Sequence, residues 1–370
     1  MRRRDVVLGM GSIMGGRAAE HPVLERGIRL LRQSADAGEV HAATLYAGMA
    51  SQAHRFGFGR ARSPEEVFLI ASITKPMTAV GVMVLADRGE LALDDPVHKF
   101  IPEFSKGDRK LVTLRHLLTH SSGLPDMLPE NVELRRRLAP LQEFVKGAIR
   151  TPLLFKPGTR VQYQSMGILL AAEVARRITG QPFPEFLDSQ VFGPLGMKHT
   201  ALGLGKFRIE DTARCQVENA EPLYGGGSKD TAKWDWNSPY WRSLAAPWGG
   251  AHSNGPDIAR FLGYFLEPDG RVLKPATAAA MIVNQTEGLN EPRGIGFVVK
   301  PGSFGSRCSI RTFGHGGSTG TLAWADPQTK AVCVVLTTLP ARVSNAKLLK
   351  PVSDRVSEWA AAPRSMPPHH

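Results

Sequence analysis

The strand-forming patterns of this chain are confined to two distant stretches, and their separation limits which folds it can adopt. Alternating and β-branched residues predict strands at 41–48 and 50–57, and strand patterns return only after about Gly294. Helical patterns joined by Pro/Gly loops fill the interval, at 74–88, 114–119, 141–149 and 166–179. The sheet is therefore split in the sequence, with a helical lobe inserted into it.

Helices near both ends of the chain are predicted to pack side by side on this sheet. Apolar residues at 23–37 follow helical spacing and stop at Gly38, and a closing helix is predicted from about Ala346 to Ala361. The fold class is α/β of the α+β kind: an antiparallel sheet flanked by N- and C-terminal helices, with an inserted all-helical lobe. The predicted division is 21–72 with 240–365 for the sheet lobe and 73–239 for the inserted, mainly helical lobe.

Three short polar clusters occur in a fixed order along the chain. They are Ser72-Ile73-Thr74-Lys75, Tyr163-Gln164-Ser165 and His315-Gly316-Gly317. Together they supply a hydroxyl nucleophile, two groups that can move its proton, and backbone that can stabilise an oxyanion beside a substrate. Acyl transfer through a covalent serine ester requires these groups and needs neither a cofactor nor a metal.

Ser72 and Lys75 are three residues apart, so on a helix both side chains project from the same face. The mostly apolar residues around them predict burial, which lowers a lysine pKa from about 10.4 toward neutrality. The same spacing recurs at Ser344 and Lys347, but no tyrosine or glycine-rich cluster follows it. Ser344 is instead predicted to be the N-cap of the closing helix, so Ser72 is the predicted nucleophile.

Tyr163 lies in a loop-like segment ahead of a helix that is predicted to begin near Met166. A phenol near two cations can be partly ionised and act first as a base and then as an acid. A half-buried structural tyrosine is the plainer interpretation, but the company of the other two clusters favours catalysis. Lys75 and Tyr163 both stay candidates for the base.

The third cluster belongs to a glycine-rich segment, 313–320, where backbone can approach a ligand closely. This segment also contains the G-x-S-x-G sequence of a nucleophile elbow, centred on Ser318. An elbow leads from a strand into a helix, whereas residues 321–337 predict a β-hairpin. The backbone N–H groups of Ser72 and Ser318 are therefore predicted to form an oxyanion hole, with His315 orienting Tyr163 or the substrate.

Taken with further segments, these clusters resemble the serine β-lactamase and penicillin-binding-protein superfamily, and within it the class C enzymes and the family VIII carboxylesterases. The resemblance covers about residues 24 to 340. The additional matching segments are Lys75-Pro76, 91–97, 114–124, 192–197, and Gly249-Gly250 with 256–261. The resemblance implies a β-lactamase/transpeptidase-like fold and a serine hydrolase in which Ser72, Lys75 and Tyr163 are catalytic.

Two departures from the β-lactamase pattern bear on the substrate. That family usually has Tyr-x-Asn where this chain has Ser165, and Lys-Thr-Gly where it has His315-Gly316-Gly317. A mostly neutral histidine attracts a β-lactam carboxylate less than a lysine does, and serine removes an amide that could hold a substrate amide. Both changes resemble the esterase branch and imply a carboxylesterase for neutral esters with short or medium acyl chains.

Several alternatives stay open at this point. A β-lactamase or D-amino-acid peptidase would share the machinery and differ in the pocket, and an acyltransferase would pass the acyl group to an alcohol or amine. A catalytically silent relative would bind peptides or have a structural role. The expected partner is a small-molecule ester or a β-lactam, and no pattern indicates an oligomeric state.

The formal net charge of +12 does not point to nucleic acid, because Lys and Arg are spread along the chain without a binding motif. Apart from Arg2-Arg3-Arg4, the one dense basic run is Arg135-Arg136-Arg137, which is predicted to form a solvated helix face. No apolar run approaches the roughly 20 residues of a membrane span, so no integral membrane segment is predicted.

No metal site or disulfide framework is indicated. Cys215, Cys308 and Cys333 are widely separated and form no C-x-x-C pair. His116 and His120 are four residues apart, but the glutamate of H-E-x-x-H is missing, so a structural role is favoured over metal binding.

An aromatic cluster precedes Gly249-Gly250. Its members are Trp234, Trp236, Tyr240, Trp241 and Trp248. They either fill the core or form an apolar wall for the acyl or alcohol group, and Trp241 and Trp248 are the pocket candidates. The pocket itself is predicted at the seam between the two lobes, beside Ser72.

The first 20 residues resemble a leader segment. Arg2-Arg3-Arg4 precede a short apolar stretch rich in glycine, and Gly16 and Ala18 are small residues of the kind that precede cleavage. The pattern favours a twin-arginine export signal and a periplasmic or secreted protein. A disordered basic leader of a cytoplasmic protein is the alternative.

Overall fold

The computed structural model of the chain describes residues 21–49, 52–225 and 229–362. The predicted leader at 1–20 and the last three residues of the predicted sheet lobe lie outside these ranges. The strands are β1 Ala42–Met49, β2 Gln52–Gly59, β3 Phe68–Leu69, β4 Ala201–Leu202, β5 Ala251–Ser253, β6 Phe313–Gly317, β7 Thr321–Asp326 and β8 Ala331–Thr337.

The helices follow the predicted positions in most of the chain. They are α1 Pro22–Asp36, α2 Thr74–Asp87, α3 Leu114–Leu118, α4 Asn131–Arg136, α5 Leu141–Arg150, α6 Met166–Thr179, α7 Phe183–Leu187, α8 Pro239–Ser243, α9 Gly255–Tyr264, α10 Pro275–Met281, α11 Ala341–Ser344 and α12 Lys350–Ala361. A π-helical turn, Asp188–Phe192, extends α7, and a second one, Asn345–Leu349, joins α11 to α12.

The larger sheet has five antiparallel strands in the order β2-β1-β8-β7-β6. β1 pairs with β8 from Ala43 opposite Thr337 to Met49 opposite Ala331, so strands from the two ends of the chain lie side by side. β7 and β8 form the hairpin predicted from the sequence, and β6 is the edge strand. The antiparallel sheet with a long insertion is thereby confirmed.

α1 and α12 cover one face of this sheet. Leu24, Ile28 and Leu31 of α1 recur at helical spacing and are buried, and Val352 and Val356 of α12 complete the layer. The indole N–H of Trp324 in β7 donates to the Ser353 hydroxyl at 2.7 Å. This bond satisfies the one polar atom of a large buried side chain and fixes α12 against the strand.

The other face of the larger sheet packs against α9, which contacts β1, β7 and β8. α2 is apolar on nearly every side, and residues 74–85 are all buried. A helix with that composition belongs to the core, and α6 packs along it. The burial of α2 determines the environment of every polar group near its N-terminus.

The prediction that strand structure returns only after Gly294 is wrong. β3, β4 and β5 form a second sheet in the order β3-β5-β4, with Leu69 opposite His252 and Leu202 opposite Ala251. Strands of two or three residues are too short to show an alternating pattern. Their pairing joins segments that are far apart in the sequence, which no local pattern reveals.

Ser344 is not an N-cap, because the closing helical run begins earlier than predicted. Pro340 occupies the N-cap position of α11, and the run continues through the π-helical turn into α12. The Ser344 hydroxyl donates to the carbonyl oxygens of Leu339 and Pro340, at 2.9 and 3.2 Å. A serine inside a helix commonly satisfies its hydroxyl by bonding back in this way.

We expect Leu31→Ala to lower the free energy of unfolding by about 2 to 5 kcal/mol, because the fully buried side chain leaves a cavity between α1 and the sheet. Leu30→Ala is the matched control, since Leu30 is only partly buried on the same helix. Urea unfolding followed by circular dichroism measures both variants. Equal losses from the two substitutions would show that α1 does not pack as described.

Candidate active site

Ser72 lies in a 3₁₀ turn, Ala71–Ile73, between β3 and α2. Ala71 has a φ of 47°, in the left-handed region that a residue with a β carbon adopts only when its surroundings enforce it. The Thr74 hydroxyl donates to the Ala71 carbonyl at 2.6 Å, and the Ile70 N–H donates to the Ala251 carbonyl at 3.0 Å. The turn therefore holds Ser72 in one position, just ahead of the helix.

The structure brings the three predicted catalytic side chains together at the Ser72 oxygen. Lys75 Nζ lies 3.1 Å from Ser72 Oγ, and the Tyr163 hydroxyl donates to Ser72 Oγ at 2.8 Å. Lys75 Nζ also donates to the Trp248 carbonyl oxygen at 2.8 Å and lies 4.7 Å from the centre of the Tyr163 ring. A hydroxyl with an amine on one side and a phenol on the other can lose its proton within this group.

Lys75 is completely buried, and burial lowers its pKa to about 7. The Asp126 carboxylate acts in the opposite direction, and the Arg293 guanidinium lowers the pKa further. Near pH 7 a large fraction of the amine is therefore neutral. Its lone pair can then accept the proton of Ser72.

Tyr163 does not have the partly ionised phenol that the sequence suggested. The ring is half-buried, and removal of its hydroxyl from bulk water raises the pKa well above its ordinary value. Asp126 raises this pKa as well. Burial and Asp126 together outweigh the Ser72 hydrogen bond and Arg293, which both lower the pKa. The phenol keeps its proton and is a hydrogen-bond donor to Ser72.

Two threonines that follow β6 bond to the backbone just before the 3₁₀ turn that carries Ser72, Ala71–Ile73, which we call the nucleophile turn. The Thr319 hydroxyl donates to the Leu69 carbonyl at 2.7 Å, and the Thr321 hydroxyl donates to the Ile70 carbonyl at 3.0 Å. Gly317 allows this approach, because a β carbon there would lie 2.5 Å from the Ile70 carbonyl oxygen. Ser318 is followed by β7 and not by a helix, as expected for a hairpin and not for a nucleophile elbow.

His315 is buried in the wall of the cavity, and burial lowers its pKa to about 3, with the Lys75 cation as a further cause. The imidazole is therefore neutral at pH 7, to a greater extent than its ordinary pKa suggested. Nδ1 lies 2.6 Å from the Gly316 carbonyl, so Nδ1 carries the proton. His315 does not orient Tyr163 through a hydrogen bond, because its buried Nε2 atom has no hydrogen-bond partner among the described residues and its Nδ1 atom is engaged by Gly316.

Ser165 is held by a residue that the sequence reasoning missed. Its hydroxyl donates to Asp126 Oδ1 at 2.6 Å, so this hydroxyl is already engaged. Asp126 also acts on the pKa of both Lys75 and Tyr163, which places a carboxylate beside the catalytic group. Asp126 lies two residues beyond Leu124, where the segment that carried the family resemblance ends, so neither that segment nor a local pattern pointed to it.

A cavity of about 310 Å³ opens in front of Ser72. Its wall includes the predicted residues Tyr163, Ser165, Trp241, Trp248, His315, Gly316, Gly317 and Ser318. Trp241 and Trp248 pack edge to face, with 6.3 Å between ring centres, and both are almost completely buried. They form part of the cavity wall as well as part of the core.

The prediction that Arg135-Arg136-Arg137 forms a solvated helix face is wrong for Arg135. Arg136 and Arg137 are exposed, whereas Arg135 projects from the other side of α4 into the cavity wall and is completely buried. Consecutive residues of a helix point in different directions, so a run of like charges need not share one face.

Arg293 is a second missed cation beside the site. Its guanidinium lies 5.8 Å from the centre of the Tyr163 ring and lowers the pKa of Lys75 and of His315. Arg293 pairs with Glu291, a partner well outside the three clusters. No sequence pattern pointed to Arg293, because the long loop before β6 brings this residue to the site.

The two histidines considered as metal ligands have separate structural roles. His116 Nδ1 accepts the Thr113 N–H in the capping box of α3, and His120 Nδ1 accepts the Gln164 N–H at 3.2 Å. Within the described ranges, no group of three or more His, Cys, Asp or Glu side chains is placed to hold a metal ion. The three cysteines are free thiols.

None of the helices in residues 21–49, 52–225 and 229–362 is both long and apolar enough to cross a membrane.

Comparison with known proteins agrees with the family resemblance and with the fold. The family described as Beta-lactamase matches residues 33–353. Esterase EstB of Burkholderia gladioli is 39% identical over 155 residues, which are 38% of this chain and 39% of that protein. The match thus spans about two fifths of that relative's length.

Two solved structures are similar over nearly the whole chain. EstCE1, described as a hydrolase with promiscuous acyltransferase activity, has a TM-score of 0.73 at 20% identity and covers 90% of this chain and 98% of its own. D-amino acid amidase from Ochrobactrum anthropi SV3 has a TM-score of 0.71 at 26% identity, over 91% and 98%. The predicted β-lactamase/transpeptidase-like fold is confirmed.

We expect Gly317→Ala to slow the covalent reaction of Ser72 with a fluorophosphonate by roughly a hundredfold, the cost of displacing reacting groups by about 1 Å. The new methyl group would overlap the Ile70 carbonyl and the Thr321 hydroxyl and push β6 away from the nucleophile turn. Gly316→Ala is the control, since its nearest neighbour would be the Thr321 carbonyl oxygen at 3.7 Å. Similar labelling rates in both variants would argue against this close approach.

Proposed function

This chain belongs to the Beta-lactamase family and is a serine hydrolase of that fold, and from this premise we propose that it cleaves carboxylic esters with short or medium acyl chains through a Ser72 acyl-enzyme. The observation that carries the proposal is the contact of Lys75 Nζ and the Tyr163 hydroxyl with Ser72 Oγ. A serine flanked by a base and a proton donor is the arrangement that a covalent ester mechanism uses.

In the proposed mechanism Lys75 is the base. Its neutral amine takes the Ser72 proton while Ser72 Oγ attacks the carbonyl carbon of the ester, so a C–O bond forms and an ammonium appears. The low pKa of Lys75 supports this assignment, and the high pKa of Tyr163 argues against a phenolate base. We therefore propose Lys75, and not Tyr163, as the base.

The later steps return the proton. The backbone N–H groups of Ser72 and Ser318 are proposed to hold the tetrahedral oxyanion, since both residues line the cavity beside β6. As the intermediate collapses, Tyr163 gives its proton to the departing alcohol and recovers one from the Lys75 ammonium. Water then attacks the acyl-enzyme with the same groups acting in reverse, which releases the acid and restores Ser72.

The preference for an ester over a β-lactam rests on the β6 side of the cavity. Where the resembling β-lactamases have a lysine, His315 is neutral, and its one proton is held by the Gly316 carbonyl. The side chain at position 315 therefore provides no permanent cation for a substrate carboxylate that lies next to β6. The Ser165 hydroxyl already donates its proton to Asp126, so it cannot replace the amide with which the β-lactamases hold a substrate amide.

We expect purified protein to hydrolyse 4-nitrophenyl butyrate with a higher kcat/KM than nitrocefin, both followed by absorbance. Ser72→Ala should fall to the uncatalysed background because the nucleophile is absent. Ser344→Ala is the matched control from the second Ser-x-x-Lys sequence and should keep both turnover and fluorophosphonate labelling.

Other results would change the assignment. Faster cleavage of nitrocefin would make the chain a β-lactamase, and a new ester formed when alcohols are added would make it an acyltransferase. Absence of labelling in well-folded wild-type protein would point to a catalytically silent relative.

We expect kcat/KM for the butyrate ester to rise with pH to a plateau, with a midpoint near 7 and about a tenth of the plateau value at pH 6. The sign follows from Lys75, whose catalytic form is the neutral amine that exists above its lowered pKa. Tyr163→Phe should lose at least about two orders of magnitude and keep this midpoint, whereas Lys75→Ala should lose both rate and midpoint. A midpoint near 10 in the wild-type protein would refute Lys75 as the base.

A further inference from the structure

The cavity wall contains a buried cation that forms no ion pair with any of the residues that the structure describes. Arg135 is 0% exposed, and its Nε, Nη1 and Nη2 atoms have no hydrogen-bond partner within the described part of the chain. Buried arginines are normally paired, because leaving a charge without acceptors is strongly unfavourable. The mechanism proposed above makes no use of this residue.

The neighbours of Arg135 are aromatic. Its guanidinium stacks 3.8 Å from the centre of the Trp241 ring and lies 5.9 Å from that of Tyr224. Burial lowers the pKa of Arg135 only to about 10, so the side chain is a cation at pH 7. The aromatic faces attract the cation, but they accept no hydrogen bond from its N–H groups, which form a fork in the plane of the guanidinium.

A second unpartnered donor lies beside this cation. The Trp241 indole N–H is buried and has no acceptor among the described residues. Asp126, the carboxylate in the same cavity, is bound by Ser165 and makes no hydrogen bond to Arg135. The wall therefore presents the N–H donors of a planar guanidinium and one indole N–H, and neither group has an acceptor within the described ranges.

This donor group is connected to the catalytic group by direct contacts. Trp241 packs on Trp248, and the Trp248 carbonyl holds Lys75 Nζ at 2.8 Å. Arg135, Trp241, Trp248 and Ser72 line one cavity. A molecule that reaches Ser72 along the two tryptophans thus has the Arg135 fork in the same wall.

We infer that the substrate is an ester that carries a carboxylate, and that the Arg135 guanidinium and the Trp241 indole N–H bind this carboxylate. The inference rests on the proposed ester hydrolysis and names its substrate class. A carboxylate is planar, only accepts hydrogen bonds, and matches the guanidinium fork with two parallel bonds. This position lies on α4 and α8, away from His315 on β6, so it does not conflict with the absence of a permanent cation there.

The test compares charged and neutral esters of similar size. On the acyl side the pair is 4-nitrophenyl hydrogen glutarate and 4-nitrophenyl hexanoate; on the alcohol side it is 4-carboxyphenyl butyrate and 4-acetylphenyl butyrate. Each kcat/KM is divided by the rate of alkaline hydrolysis of the same ester. The expected result is a preference for the charged member of at least one pair, reduced by about tenfold or more in Arg135→Met.

Arg136→Met is the control, because Arg136 is the exposed neighbour on the same helix, and this variant should keep the wild-type ratio. No preference in either pair would overturn the inference. It would also be overturned if Arg135→Met slowed the charged and neutral esters equally, because Arg135 would then support the fold and not the carboxylate.

A second measurement separates this inference from the proposed function. At least one of the two charged products, glutarate and 4-hydroxybenzoate, should raise the melting temperature of the wild-type protein and of Arg136→Met, and not that of Arg135→Met. If no ester is hydrolysed, the proposed function fails while this shift still supports the carboxylate site. Absence of the shift in wild-type protein that hydrolyses neutral esters overturns the carboxylate site alone.

Discussion

The site depends on the burial of one amine. Lys75 lies in the first turn of α2, a helix so apolar that its N-terminal half is core, and an ammonium in that position is disfavoured. The protein compensates with two acceptors, the Ser72 hydroxyl and the Trp248 carbonyl, and not with a carboxylate in direct contact. A paired carboxylate would have held the amine in its charged form and made it useless as a base.

The second constraint is the approach of β6 to the nucleophile turn. The larger sheet presents its edge strand to a turn that belongs to the smaller sheet, and threonine hydroxyls join the two. Glycine at 317 is required because the Ile70 carbonyl oxygen and the Thr321 hydroxyl occupy the space of a β carbon. The oxyanion hole that we propose needs the same short separation, since its two N–H groups come from opposite sides of this contact.

Charge is distributed unevenly in the cavity. Asp126, Lys75, Tyr163 and Arg293 form a set around Ser72, in which Asp126 and Arg293 both act on the pKa of Lys75 and of Tyr163. Arg135 stands apart from that set, stacked on Trp241 and without an acceptor in the described part of the chain. In the mechanism that we propose the first set serves proton transfer, and the isolated cation is the group that we infer binds the substrate carboxylate.

The sequence determined the elements whose signals are local. α2, α6 and the β7–β8 hairpin lie where their patterns predicted them, and the Ser72–Lys75 spacing indicated the catalytic pair. The tertiary structure decided what depends on distant neighbours: the pairing of β3 with β5, the burial of Arg135, and the ionisation of Tyr163. The physical reason is that hydrogen bonding within a helix or hairpin is set by nearby residues, whereas burial and its effect on charge are set by whichever segments fold against a side chain.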